Sequence, residues 1–307
     1  MGFRKLDQFK NEFFSTKIST PFLSILIPTY DYPEGLDRIL AALGSVPNDV
    51  EVLVFDDSSL PDLKKIAVKY SSLIPRLIYR HNLSFLGKSL GAGDNWNSLL
   101  NAAQGDYVVL MHHDEFPLGS NFIAELRLIT TKIKSPDVLL FDLILVDDCL
   151  SLLPRHTPRF FRWLVTQYIP GYLFRRNVIG PTATLAVRRS IVPRFDSQLR
   201  WLIDVDFYVQ LCRTGLLWSE ASNIKIVSVQ RKTGTITNEL TTELSRIDSE
   251  ERFTLGKRYR KDSIWLGGAI AAPIRFLEFL IWIFLRGNMI ALYRFCKLMR
   301  GRNLDCR

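Results

Sequence analysis

Between residues 22 and 116, short apolar runs alternate with helix-like segments, and this alternation limits the chain to a few architectures. "FLSILIPTY" (22–30) reads as a continuous apolar strand, "VEVLVFDDSS" (50–59) as a second, "RLIYRHN" (76–82) as a third and "YVVLM" (107–111) as a fourth. Helices are expected at 34–45, 61–70 and 94–105. In the last, Trp96, Leu99, Leu100 and Ala103 fall at helical spacing, with Asp94 or Asn95 as N-cap and Gly105 as the stop. Strand–helix alternation of this kind argues for an α/β fold, a mostly parallel sheet with helices on both faces.

Such a sheet binds ligands at the carboxyl ends of its strands. Three of the four strands end in polar chemistry: Thr29–Tyr30–Asp31, Asp56–Asp57–Ser58 and His112–Glu115. Successive side chains on a strand point to opposite faces, so His112 and His113 cannot both face one metal while the strand lasts. A four-ligand zinc site is therefore not expected from "HHDE". Asp114 and Glu115 fall where the strand gives way to a loop, and two hard carboxylates there suit Mg²⁺ or Mn²⁺. The competing reading is a solvated acidic turn. Asp56–Asp57 likewise either caps the next helix or holds a base or ribose. "NLSFLGKS" (82–89) lacks the first glycine of a P-loop, and "GAG" (91–93) lacks the third glycine of a dinucleotide fingerprint. These glycines are expected to mark a mobile loop over the pocket.

Together "SILIPTYD", "VLVFDDSS" and "NWNSLLNAAQGDYVVLMHHDE" resemble the nucleotide-sugar domain of a family 2 glycosyltransferase, of the GT-A fold, over roughly residues 22–235. The resemblance implies that Pro28 and Tyr30 flank the base and that Asp57 holds a uracil ring with Asp56 behind it. It also places Asn97 and His113 on the nucleotide. Asp114, near ribose and metal, and Glu115, on the metal, take the place of the family's DXD motif. The pattern departs from the usual one: histidine replaces the first acid of a "DxDD" form, and Glu replaces its final Asp. His112 or His113 then becomes available to a phosphate or ribose oxygen. Mn²⁺ or Mg²⁺ is the implied cofactor and a UDP-sugar the implied donor.

Further on, "RWLIDVDFYVQLCRTG" (200–215) carries Asp204 and Asp206, two apart and so unable to share a helical face. The family's Glu-Asp motif sets its aspartate on Asp204, with Ile203 where Glu is usual. Asp204 is the implied catalytic base and Asp206 the runner-up. "NVIGPTATLAVRRS" (177–190) resembles the family's acceptor-side segment, and Arg231 or Lys232 of "QRKTGTIT" is expected to close over the diphosphate.

Residues 264–285 are apolar, but Pro273, Arg275 and Glu278 interrupt them, so simple membrane spanning is not expected. On a helical wheel of 274–300, Arg275, Glu278, Arg286, Arg294, Lys297 and Arg300 gather within roughly 160°. That is the pattern of a helix lying on an anionic membrane surface. The alternative is a helical hairpin buried against protein. Lys+Arg exceed Asp+Glu by 40 to 31, which favours anionic partners, yet much of the excess lies in this tail and no nucleic-acid partner is expected. Four cysteines without a CxxC read as reduced thiols. The expected organisation is an extension (1–21), a GT-A domain (22–235) and a helical C-terminal region (236–307). The expected protein is cytoplasmic and peripheral on the inner face of the membrane. By the resemblance it is an inverting enzyme acting on a membrane-associated glycan or lipid-linked acceptor in cell-surface polysaccharide synthesis. The alternative from another class is a non-catalytic nucleotide-sugar-binding subunit.

Overall fold

The structure is a computed structural model, and the described residues are 20–59, 61–82, 89–154, 156–214, 216–231 and 243–259. Among the described residues eight strands form one sheet: β1 (Leu23–Thr29), β2 (Val50–Asp56), β3 (Leu77–His81), β4 (Tyr107–Leu110), β5 (Glu115–Pro117), β6 (Val138–Asp147), β7 (Leu185–Arg188) and β8 (Trp218–Gln230). Their order is β3-β2-β1-β4-β7-β6-β8-β5. The first four run parallel; β7 is antiparallel to β4 and β6, β8 is parallel to β6, and β5 is antiparallel to β8.

The helices among the described residues are α1 (Pro33–Leu43), α2 (Lys64–Lys69), α3 (Ala92–Ala102), α4 (Phe122–Lys132), α5 (Arg159–Tyr168), α6 (Ile203–Arg213) and α7 (Leu244–Tyr259). They cover both faces of the sheet. Ile25 and Ile27 of β1 pack with α1 and α4 in one core, while Leu26 packs with α3 and α6 in the other. This explains why β1 and β2 carry no polar alternation: every residue of each strand is buried. Edge strand β3 alternates between half-buried and exposed instead.

Two expected boundaries move. Residues 61–70 divide into a 3₁₀ turn (Pro61–Leu63) and the short α2. Helix α3 starts at Ala92 behind Gly91, not at Asp94 or Asn95. Gly91 has φ +84, a left-handed turn that glycine tolerates best, and its N–H is held by Asp57. Asn95 cannot cap, because its side chain donates to the Phe55 carbonyl and accepts from Asn82. The helix also ends at Ala102, ahead of Gly105.

Helix α7 lies beyond the expected boundary at 235, yet it packs on α6. The Tyr259 hydroxyl donates to Asp206 at 2.6 Å, and Glu251 accepts the backbone N–H groups of Arg200, Trp201 and Leu202. Among the described residues no helix is long and apolar enough to cross a membrane. The expected amphipathic tail lies outside the described residues.

Candidate active site

The "HHDE" segment is the turn that takes the chain from β4 to β5. The Glu115 N–H donates to the His112 carbonyl at 3.0 Å, and β5 then pairs with β8 at the far edge of the sheet. Strand β4 ends at Leu110, so it is the turn, and not strand alternation, that separates the two histidines. His112 lies against the Trp96 ring (centroids 4.6 Å apart), while His113 meets the edge of Tyr32 at 5.3 Å. Gly35 permits this fit, because a Cβ there would stand 2.1 Å from the His113 carbonyl oxygen.

Glu115 turns back on the turn. One carboxylate oxygen accepts the His112 N–H at 2.9 Å and the other pairs with His112 Nδ1 at 3.0 Å. Burial lowers the His112 pKa, but Glu115, with Asp114 and Asp204 beyond it, outweighs burial and lifts it to about 9. The Nε2 atom is buried and without a partner. His113 is the opposite case: burial and the charges of His112 and Arg231 push it down to about 3. Its Nδ1 accepts the Tyr30 N–H at 3.3 Å, so the neutral ring carries its proton on Nε2. Burial and the neighbouring Glu115 raise Asp114 to about 6, against the pull of His112.

One ligand atom each from His112, Asp114 and Glu115 lies within 4.8 Å of the others, and His113 is not among them. This donor set fits a divalent cation, provided that one Glu115 oxygen exchanges His112 for the ion.

These residues open onto a cavity of about 910 Å³, within the range of small-molecule sites. Pro28, Tyr30, Asp57, His113, Asp114, Glu115, Asp204 and Arg231 all line it. Asp57 also clamps the turn before α3: its carboxylate accepts from Ser89 Oγ, Leu90 N and Gly91 N. A carboxylate has about four acceptor positions, so one is left for a ligand. The Arg231 guanidinium stands over the Tyr32 ring, 3.6 Å from its centroid.

Asp204, in the first turn of α6, faces the same cavity. Its oxygens accept from Val205 N at 2.8 Å and Asn177 Nδ2 at 2.7 Å. Burial raises its pKa to about 6, against the lowering effect of the Val205 N–H, the His112 charge and the Asn177 amide. A carboxylate tuned toward neutrality at a cavity wall can act as a general base.

Three expected site residues stand elsewhere. Asp206 is fully buried and turned to α7, where it accepts from Tyr259, Arg258 and Gln210. It cannot reach the cavity, as two residues along a helix turn a side chain by about 200°. Asp56 is also fully buried and does not line the cavity; it is spent on Ser58 and the Tyr79 hydroxyl. Asn97 exchanges two hydrogen bonds with the backbone of Phe195, which leaves its amide structural. Lys232 lies outside the described residues.

Sequence reasoning missed Asn177, the partner of Asp204. Its signal was its place at the head of "NVIGPTATL". It also missed the arginine pair before it, Arg175–Arg176, and Arg200 and Arg252, all on the cavity wall.

Comparison with known proteins agrees with this architecture. Residues 24–131 match the model of the family described as glycosyl transferase family 2. The uncharacterized glycosyltransferase MJ1057 of Methanocaldococcus jannaschii is 20% identical over 200 residues, which are 63% of this chain and 66% of that protein. The uncharacterized glycosyltransferase MG060 of Mycoplasma genitalium is 30% identical over 102 residues, 30% of this chain and 32% of that one. Among solved structures, S. aureus TarS 1–349 in complex with UDP-GlcNAc superposes with a TM-score of 0.54 at 19% identity, covering 70% of this chain and 60% of that one. The chain thus spans no more than 66% of the length of any of these three proteins. Residues 24–131 thus match glycosyl transferase family 2, and the sheet and helices form a GT-A-type fold like that of the TarS structure.

Proposed function

We propose that the chain is an inverting glycosyltransferase that moves a sugar from a UDP-sugar to a hydroxyl of a membrane-associated glycan or lipid-linked acceptor, in cell-surface polysaccharide synthesis. The observation that carries this reading is Asp204, which faces the same cavity as the three polar strand ends, with its pKa raised to about 6. Asp204 takes the proton of the acceptor hydroxyl as that oxygen bonds to the anomeric carbon and the bond to the diphosphate breaks on the opposite face. An α-linked donor therefore gives a β-linked product. Asp114 and Glu115 would hold Mn²⁺ or Mg²⁺, whose charge offsets that of the departing diphosphate. Arg231, over Tyr32, is placed to meet the same charge.

A screen of UDP- and dTDP-sugars for donor hydrolysis, with Mn²⁺ or Mg²⁺ added, tests the reading. Hydrolysis of at least one donor is expected. Tight nucleotide binding with no turnover of any donor would favour a binding-only subunit. The occupation of both Glu115 oxygens by His112 speaks for that second reading.

Asp57 leaves one acceptor position for the imide N–H of uracil. Asp57→Ala should therefore cut the preference for UDP over CDP about tenfold, the usual cost of one lost partner for a buried donor. Calorimetric dissociation constants give the ratio. An equal loss for both nucleotides would make Asp57 a clamp for residues 89–91 and nothing more.

Attachment to the inner face of a membrane rests on the one-sided charge of 274–300. Removing 264–307 leaves α7 in place and should release the protein from anionic vesicles while UDP binding survives. High salt should weaken attachment of the full chain only in part, since the apolar side is not screened. Unchanged vesicle binding by the shortened chain would rule the tail out as the anchor.

A further inference from the structure

Helix α7 grips α6 at two points. On the side turned away from the cavity, Tyr259 and Arg258 hold Asp206. At the amino end of α6 the grip is of another kind. One carboxylate, that of Glu251, accepts three consecutive backbone N–H groups: Arg200 at 2.6 Å, Trp201 at 3.1 Å and Leu202 at 2.8 Å. Leu202 is the N-cap residue of α6, and no side chain of its own caps the helix. Glu251 fills that place from another helix. Successive N–H groups turned to one side make a concave nest for an anion, and negative charge is favourable before a helix N-terminus. Glu251 is only 8% exposed, so these charge-assisted bonds are what offset its burial.

The nest holds part of the cavity wall. Trp201, Leu202, Ile203, Asp204 and Val205 all line the cavity, and Asp204 follows the nest by two residues. The Val205 N–H and the Asn177 amide orient the Asp204 carboxylate. Neither sets where α6 begins, which is what Glu251 fixes. Both helices lie outside the family-matched residues 24–131. Displacing a reacting group by about 1 Å through a change far from the chemistry can cost about 10²-fold in rate. We propose that Glu251 is a positioning residue for sugar transfer: it fixes the amino end of α6 and, through it, the place of Asp204 in the cavity. This rests on the reading of Asp204 as the base of a glycosyltransferase and adds the group that places it.

The experiment uses the full chain, with hydrolysis of a UDP-sugar as the reaction and water as the acceptor. Glu251→Gln keeps the size of the side chain but turns one acceptor oxygen into a donor, which meets the nest's N–H groups head on. Its kcat should fall by about 10- to 100-fold, at a temperature where circular dichroism shows the variant fully folded, while UDP affinity stays within about twofold. Asp206→Asn, which breaks the other grip of α7, is the control and should keep its kcat under the same conditions. A second comparison separates positioning from general support. In an Asp204→Asn background, Glu251→Gln should cost less than about twofold more, because a residue acting through the base then has nothing left to place. Unchanged kcat in Glu251→Gln would overturn the proposal. So would a loss that recurs in full in the Asp204→Asn background, or one matched by Asp206→Asn, since either makes Glu251 a structural residue only. If Glu251→Gln does not fold, Glu251→Asp, which keeps the charge and shortens the reach, takes its place in both comparisons. Tight UDP binding by the wild type without hydrolysis of any donor would remove the glycosyltransferase reading, and this one with it.

Discussion

Asp204→Asn is expected to lower sugar transfer by about 10²–10⁴, the usual worth of a general base, while UDP affinity stays near that of the wild type. The substitution keeps shape and most hydrogen bonding. Asn177 donates to one Asp204 oxygen and Val205 to the other, so a carboxamide is accommodated with the loss of one acceptor. What disappears is basicity. The wild-type rate should rise with pH through about 6, because the base works deprotonated and burial has raised its pKa to that value. Above that the rate should level off. Asn177→Ala removes a group that lowers this pKa, and should move the rising limb to higher pH without abolishing transfer. Asp206→Asn should behave differently: it breaks the bonds to Tyr259 and Arg258 and should show as lost stability, about 1–3 kcal/mol, instead of lost chemistry. Full transfer by Asp204→Asn under saturating donor would remove the mechanism. A rate that does not change between pH 5 and 7 would remove the assignment of the limb.

The two aspartates show how far the sequence could be read. Their spacing dictated that only one could face the cavity, and periodicity is visible in a single chain. Which one it would be depended on α7, about fifty residues away, whose Tyr259 and Arg258 claim Asp206. Partners so distant in sequence leave no local signal. The strand ends were legible for the same reason as the fold: continuous apolar runs stopping on acids are a local pattern. Asp56 and Asp57 illustrate the limit, since adjacent residues on a strand end part ways. One is spent on Tyr79 from the neighbouring strand, and the other faces the cavity and clamps Gly91. The β6–β8 half of the sheet and the cavity-lining residues Arg175, Arg176, Arg200 and Arg252 were not foreseen. Both are assembled from segments far apart in the chain. Glu115 was read as a ligand from its type and position, but its pairing with His112 came from the turn itself, in which residues three apart are brought together.

That pairing makes a second large effect expected. At pH 6.5 and in EDTA, Glu115→Gln should lose about 3 kcal/mol of stability, the order expected when one partner is removed from a buried ion pair. Glu115 is nearly inaccessible, and its removal leaves His112 without the charge that outweighs burial. The sign of the pH dependence follows. A histidine raised from 6.5 to about 9 adds stability that is fully present below pH 6.5 and is lost as pH rises through 9. The raised acids do not confuse this window, because Asp114 and Asp204, both at about 6, have largely titrated before it opens. Wild-type stability should therefore fall by about 3 kcal/mol between pH 6.5 and 9.5, from 1.4 kcal/mol per pK unit. The variant should be nearly flat over the same range, so that the two converge at high pH. Urea unfolding across this range measures both curves. Parallel slopes would show that His112 is not held charged by Glu115. The same preparations test the ion: Mn²⁺ should strengthen UDP binding to the wild type and have little effect on Glu115→Gln. Equal strengthening in both would leave Asp114 as the metal's anchor, with Glu115 serving only to hold the histidine.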